Sequence, residues 1–475
     1  MDKTTNKTIH LNAILLLACI CSRILTSIYY IEDIDSLRFA LSLEEYNLSK
    51  LQPHFPGYPV FCFIAKIIFY FTGNKGLTFS IIGGASTFII IYFILKINRT
   101  NIDSYQGFFS TSIIFFNPLF WIMSNRYMPD LMGIAVSIAA IYFLIFNKND
   151  QKNIMIGYFL IGLLAGVRLS YIPLLLLPFI YFFIVYKDRT FIFSSFLFGF
   201  LVWFIPFAVF AGPGTIFEYG IKQYSGHFYD YGGTIFTEND LLSRLKYLLQ
   251  TIWADGFGGY LPERSMLTLF LSVFLLVHFG SSFTSIIENL KFDKKFKILI
   301  YCTAIYTVWI FFFQNIIYKS RHIMPIISTL LILLTTKHSN IFMTNYFVKK
   351  IANGAFILLF IAITLKLAVQ HKNPNAISQL KDFIINENPE KVISIPLINY
   401  YLKAHGVKSD FTNLDNQNVD YQLNIDSLEL NNALLIGNFK GIFESEYKVS
   451  PRKIFFHNPY VNRMWPEIRT FQLDK

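Results

Sequence analysis

Charge is scarce in this chain. Only 15% of its 475 residues are Asp, Glu, Lys or Arg, where a soluble domain carries about a quarter. Cysteine is scarce too. Cys19, Cys21, Cys62 and Cys302 each sit inside an apolar run, and none has metal-ligand spacing. They are expected to act as small hydrophobes, which excludes a disulfide framework and a thiolate metal site. No internal repeat is visible, and two related halves are a common mark of transporters. No basic helix with interleaved aromatics is present either. The net charge of +11 therefore does not signal nucleic acid. It is better explained by Lys and Arg gathered in the cytoplasmic loops of a membrane protein.

Apolar residues are abundant. They make up 54% of the chain, with 52 Phe and 28 Tyr, and mean hydropathy is +0.45. Water cannot solvate that surplus, so a bilayer must. The first apolar run, 9–31, follows Lys3 and Lys7. It is too long for a signal-peptide core and no small-x-small cleavage site follows it, so a retained transmembrane helix is expected. Further runs fall at 57–72, 77–97, 106–124, 129–147, 154–170, 171–186, 190–212, 265–286, 297–317, 323–336 and 351–369.

Basic clusters orient these runs. Lys3/Lys7, Lys96/Arg99, Lys148/Lys152, Lys187/Arg189, Lys291/Lys294/Lys295/Lys297 and Lys337/Lys349/Lys350 all belong inside by the positive-inside rule. They agree only if 57–72 does not cross. That segment carries Lys66 and opens on Pro56-Gly57-Tyr58-Pro59, which suits a re-entrant or juxtamembrane helix on the outer side. The expectation is an all-α polytopic membrane domain of about eleven crossings, judged by the roughly 20 residues a crossing needs. From about residue 373 the chain turns polar. Lys391–Ile395 and Ala433–Gly437 look like strands, and Ile377–Asn386 like a helix. A small α/β domain is expected over 373–475, outside the membrane, after a membrane domain over 1–372.

The same orientation brings three stretches to the outer face, and each carries polar groups. The loop after the first helix holds Glu32, Asp33 and Asp35, then the turn Gln52-Pro53-His54-Phe55-Pro56-Gly57-Tyr58. Acids at a membrane edge are costly unless used or paired. A second turn, Ser124–Asp130, holds Arg126 and Asp130, either a structural ion pair at a helix start or part of a site. A third, Tyr318-Lys319-Ser320-Arg321-His322, puts cations where the orientation rule disfavours them. Its natural ligand is a phosphate at headgroup depth, on a bound substrate or on bulk lipid. Arg168 could join it or pair with a buried acid. Arg23 could snorkel outward or balance the acidic loop. The long loop 213–263 adds Tyr219, Tyr224, His227, Tyr229, Asp230, Tyr231 and Trp253, which suit sugar faces and membrane interfaces alike.

Two motifs carry a resemblance. Asp35-Ser36-Leu37-Arg38-Phe39-Ala40-Leu41, followed by Pro53-His54-Phe55-Pro56-Gly57-Tyr58, resembles bacterial glycosyltransferases of the GT-C superfamily, including relatives of the dolichyl-phosphate-mannose-protein mannosyltransferases. Leu41 replaces a usual small residue and Phe55 a usual proline. The resemblance is clearest over 30–135 and does not reach the C-terminal domain. It implies a polyprenyl-phosphate-linked sugar donor and an acid near the reacting centre. Asp35 matches that acid best, Asp33 second, with Asp130 as a second-loop acid. Donor-phosphate contacts are expected from Arg321, His322 and Lys319, and from Arg168 unless it pairs with a buried acid, with substrate-loop roles for Gln52, His54 and Tyr58. No cofactor and no protein-bound metal are expected, although a divalent ion is left open. The acceptor is a glycan, lipid or protein hydroxyl, and the location a bacterial inner membrane with the N-terminus inside. The competing expectation is a transporter or flippase of lipid-linked sugars.

Overall fold

Where the sequence shows apolar runs, the chain forms helices. The computed structural model describes residues 3–148, 150–336, 346–414, 432–444 and 447–474. Lys337 and the side chains of Lys291 and Lys349 lie outside the described part. The chain divides into two compact units: residues 1–28 with 38–369, and residues 29–37 with 370–475.

The first unit is helical. Its elements are α1 (Lys3–Leu25), most of α2 (Ile34–Glu44), α3 (Pro59–Thr72), α4 (Lys75–Ile97), α5 (Tyr105–Phe115), α6 (Pro118–Asn125), α7 (Asp130–Ile141), α8 (Gln151–Arg168), α9 (Leu176–Val185), α10 (Arg189–Ala211), α11 (Pro213–Ser225), α12 (Leu241–Gln250), α13 (Met266–Phe292), α14 (Lys294–Phe313), α15 (Met324–Thr335) and all but the last two residues of α16 (Tyr346–His371). Among the described residues, six helical stretches are long and apolar enough to cross a membrane, or seven if the bent pair α5–α6 is one span. Four shorter apolar helices accompany them. With the composition, they make this an integral membrane protein.

One of the six is a hairpin. Residues 151–185 form a single apolar stretch of 35 residues by length. Yet the Tyr158 hydroxyl donates to the Phe179 carbonyl, and their rings lie 5.0 Å apart. On one straight helix these residues would stand about 30 Å apart at 1.5 Å per residue. So the chain folds back between α8 and α9. The chain turns at Arg168 (φ −155°, ψ 86°) and through the tight helical turn Leu169–Leu175.

The helix α3 has 14 residues, about 21 Å at 1.5 Å per residue, which is short of a hydrocarbon core of about 30 Å. Phe61, Cys62 and Ala65 face the protein, while Phe63, Tyr70 and Phe71 are exposed. A two-faced helix of that length suits the membrane boundary.

The α5–α6 pair bends by 53°. Pro118 sits at the start of α6 and cannot donate a backbone hydrogen bond. Carbonyls freed in lipid need other partners, and each finds one. Arg23 Nη2 donates to Phe115 O at 2.8 Å, and Thr364 Oγ1 donates to Phe116 O at 2.5 Å. Asn117 caps Phe120 N with its Oδ1 and donates from Nδ2 to Gly256 O. The Arg23 guanidinium also lies 3.8 Å over the Trp121 ring. Arg23 is thus fully buried and fixes a helix break; it neither snorkels outward nor balances the acidic loop.

The end of α1 is tied to the turn after α6. Asn125 Nδ2 donates to Thr26 O at 2.7 Å and the Tyr127 hydroxyl to Ile28 O at 2.8 Å. Close backbone approach makes this possible, because α4 passes directly beneath. A Cβ on Gly83 would lie 1.8 Å from Ser124 O.

The second unit is an α/β layer. Its sheet has the order β2-β1-β3-β5-β4, from β1 (Lys391–Ser394), β2 (Asp410–Asn413), β3 (Ala433–Ile436), β4 (Lys448–Phe456) and β5 (Glu467–Asp474). The first three pair in parallel, and β5 is antiparallel to both β3 and β4. Helix α18 (Pro396–Ala404) makes the crossover from β1 to β2, and α17 (Ala376–Glu387) precedes β1 and packs against β4 and β5. A core of Ile393, Leu435, Phe443, Phe471 and Leu473 fills one side.

Gly83→Ala should lose about 1–3 kcal/mol or more of stability through overpacking against backbone that cannot move aside. A lower thermal midpoint in detergent, with the monodisperse peak reduced, is the expected result.

Candidate active site

A buried chain of polar groups runs through the first unit where four turns meet. Its centre is Asp130, the first residue of α7. Asp130 Oδ1 lies 3.0 Å from Arg168 Nη2, 4.0 Å from Arg321 Nε and 3.4 Å from the Tyr171 hydroxyl, which donates to it. Arg168 Nη1 donates to the Tyr58 hydroxyl at 3.1 Å, which lies 3.1 Å from His54 Nε2. The Tyr306 hydroxyl donates to His322 O at 3.0 Å. Arg168, Arg321 and His322 are all at least nine-tenths buried, and Asp130 is 1% exposed.

Each group is delivered by local chemistry. Asp130 follows Pro129, and its charge is favourable at a helix N-terminus. Arg168 stands at the reversal between α8 and α9. His54 and Tyr58 come from the proline turn, in which Gln52–Pro53 and Phe55–Pro56 are cis. Gly57 has φ +84° and Tyr58 φ +46°, a conformation costly for a bulky residue and held here by its surroundings. The Tyr46 hydroxyl fixes Gly57 O at 2.8 Å, and Pro59 starts α3. Phe39 packs edge-on against His54 and Tyr58 at 5.7 Å and 5.0 Å. The acidic motif's phenylalanine therefore buttresses the proline turn. Arg321 and His322 lie in the short turn Ser320–Ile323 that leads into α15. Arg321 Nη1 also approaches Met128 Sδ at 2.9 Å.

The balance of charge matters most. One carboxylate faces two guanidiniums, and Lys319 stands half-buried beside them. Buried cations cost free energy unless they are paired and hydrogen-bonded, and Asp130 supplies a carboxylate to both guanidiniums. Arg168 Nε and His322 Nδ1 are buried nitrogens without a hydrogen-bond partner. The arrangement can therefore bind an anion with several oxygens.

Of the residues picked out in the sequence, Asp130, Arg168, Arg321, His322, His54 and Tyr58 meet in this chain. The described bonds of Gln52 are main-chain, to Asn47. Asp33 and Asp35 belong to the second unit. There Asp33 Oδ1 accepts from Ser36 N at 2.7 Å, which caps α2, and Asp35 stands in the first turn of that helix. From the long loop, Tyr224, Tyr229 and Tyr231 are exposed. His227 Nε2 lies 2.7 Å from Phe313 O, and burial together with nearby Lys319 pulls its pKa down.

Three contributors escaped the sequence analysis. Tyr171 and Tyr306 each lie within an apolar run, where a lone tyrosine gives little signal, although Tyr171 follows Arg168 by one turn. Arg244 is fully buried and donates to Phe311 O, Gly233 O and Gln314 O. It pins the long loop to the C-terminal end of α14, where a cation is favourable, and so steadies the approach to Lys319.

A polytopic helical domain with polar groups gathered at its turns, followed by a small α/β unit, is a fold that solved structures share. In particular, the chain is similar to ArnT from Cupriavidus metallidurans bound to undecaprenyl phosphate, with a TM-score of 0.56 and 10% identity over 97% of each chain. The apo state of the same protein gives 0.53 and 10% over 98% of each. The Archaeoglobus fulgidus oligosaccharyltransferase complex with Zn and sulfate gives 0.47 and 13%, over 85% of this chain and 62% of that one. At such identities the likeness is one of fold. No protein-family model and no curated protein sequence matches the chain.

Asp130→Asn should leave the buried Arg168 guanidinium without its 3.0 Å carboxylate and cost about 3–5 kcal/mol. Arg168→Ala should cost a similar amount. Thermal unfolding in detergent, with and without a polyprenyl phosphate, checks both.

Proposed function

We propose that this chain is a glycosyltransferase that moves a sugar from a polyprenyl-phosphate-linked donor to an acceptor hydroxyl at the outer face of the membrane. The observation that carries the proposal is the buried cluster in which Arg168 and Arg321 share one carboxylate, Asp130. Its clustered guanidiniums are the groups that best hold a phosphate's oxygens. The fold supports the same reading, since ArnT of that fold has been seen bound to undecaprenyl phosphate.

In this mechanism the donor phosphate is held by Arg321, His322, Lys319 and Arg168. Asp130 keeps the two guanidiniums oriented, and Tyr58 and His54 extend the hydrogen-bonded line. The acceptor oxygen attacks the anomeric carbon and its proton passes to Asp35. The bond from that carbon to the phosphate oxygen breaks, and polyprenyl phosphate leaves with its electron pair. Cations stabilise the charge that develops on the leaving oxygen, so a strong general acid is unnecessary. Asp33 is the less suitable base, because its Oδ1 already caps α2. The C-terminal unit stands outside the membrane, the N-terminus is cytoplasmic, and the membrane is a bacterial inner membrane.

Purified protein supplied with a polyprenyl-phosphate sugar and an acceptor should release polyprenyl phosphate. Asp35→Asn should lower that rate by about 10²–10⁴-fold, the usual contribution of a general base. Arg321→Ala should weaken donor binding by about tenfold or more, the loss of one or two charge-assisted hydrogen bonds. Full transfer by Asp35→Asn would remove that residue as the base. Movement of donor across vesicles without product would replace the transferase with a flippase.

A further inference from the structure

The acidic loop and the C-terminal unit are far apart in sequence, yet residues 29–37 belong to the same compact unit as 370–475. Four hydrogen bonds join the loop to that unit. Glu32 Oε1 lies 2.8 Å from His371 Nε2, and both side chains are fully buried. Asn375 Nδ2 donates to Glu32 O at 2.5 Å, the Tyr401 hydroxyl to Ile31 O at 2.6 Å, and the Tyr30 hydroxyl to His371 O at 2.8 Å. Burial holds the Tyr401 phenol above its usual pKa, so it remains a donor. The next residue, Asp33, caps α2 through Ser36 N, and its carbonyl accepts from Leu37 N at 2.9 Å. Asp35 is the second residue of that helix.

We propose that the C-terminal unit is a positioning device for the acidic loop, and that the buried Glu32–His371 pair is its anchor. The proposal rests on Asp35 being the base. It divides three neighbouring carboxylates by task. Glu32 holds the loop, Asp33 starts the helix, and Asp35 does chemistry. Little slack separates them. Glu32 is fixed at its side chain and its carbonyl, one residue follows, and the capped helical turn then sets the Asp35 backbone. A displacement of about 1 Å at a reacting group can cost about 100-fold in rate. Removing one partner of a buried pair strands the other, which here would release the loop.

His371→Ala and His371→Gln in the full-length protein test this, because glutamine keeps a donor at similar reach. Two readouts are needed. Hydrogen–deuterium exchange over residues 29–37 requires no activity, and kcat and KM for transfer report the consequence. His371→Ala should raise exchange in 29–37 while the β1–β3 strands stay protected. It should also lower kcat by about 10–100-fold with donor KM nearly unchanged. His371→Gln should restore both. Unchanged exchange in the alanine variant, or a kcat loss that glutamine does not restore, overturns the proposal. If His371→Ala fails to fold, Tyr401→Phe removes a single bond to the same loop and is read by the same two criteria. A wild type without transfer activity sinks the transferase reading alone, since exchange still decides whether the pair anchors the loop.

Discussion

The contact between Asp130 and Arg168 is what the membrane unit is organised around. A carboxylate at the end of an apolar helix is expensive to bury, and so is a guanidinium at a helix reversal. Held 3.0 Å apart, each makes the other tolerable. Their pairing fixes the start of α7 against the turn between α8 and α9, and the remaining hydrogen bonds hang from it. Tyr58 and His54 reach Arg168 from one side, and Tyr171 and Arg321 reach Asp130 from the other. The second guanidinium, Arg321, approaches the same carboxylate at 4.0 Å and ties the turn before α15 to the pair.

Around that centre, the unit repeatedly meets one requirement: backbone polar groups away from water need partners. The α5–α6 break exposes carbonyls, and Arg23 and Thr364 cover them. The end of α14 is covered by Arg244. These two buried arginines touch carbonyls and aromatic rings. Arg168 and Arg321 instead share an acid. Burial alone does not separate the two kinds of contact.

Parts of this were legible in the chain itself. The strands β1 and β3 and the helix α17 stand out as short apolar or amphipathic runs. The strands β2, β4 and β5 do not. Most of β4 is exposed on both faces, and Pro451 interrupts its register with β5, so it carries no alternation to find. The proline turn was recognisable because Pro fixes the backbone wherever it occurs and Gly permits the positive φ a tight turn needs. Tyr306 was not, since nothing in an apolar run marks which tyrosine meets a distant carbonyl.

The sequence by itself determined the solvent and the cast. Apolar runs of membrane length require a bilayer, and the few charged residues left at their ends are conspicuous because lipid penalises them. Tertiary structure decided who meets whom. The sequence left Asp130 with a choice of partners, and packing gave it Arg168 from a different helix. Glu32, Asp33 and Asp35 look alike in a row of residues. They part company only because His371, 339 positions away, lies beside one of them. Composition and spacing act locally along the chain, whereas the pairing of buried charges depends on distances that exist only once the chain has folded.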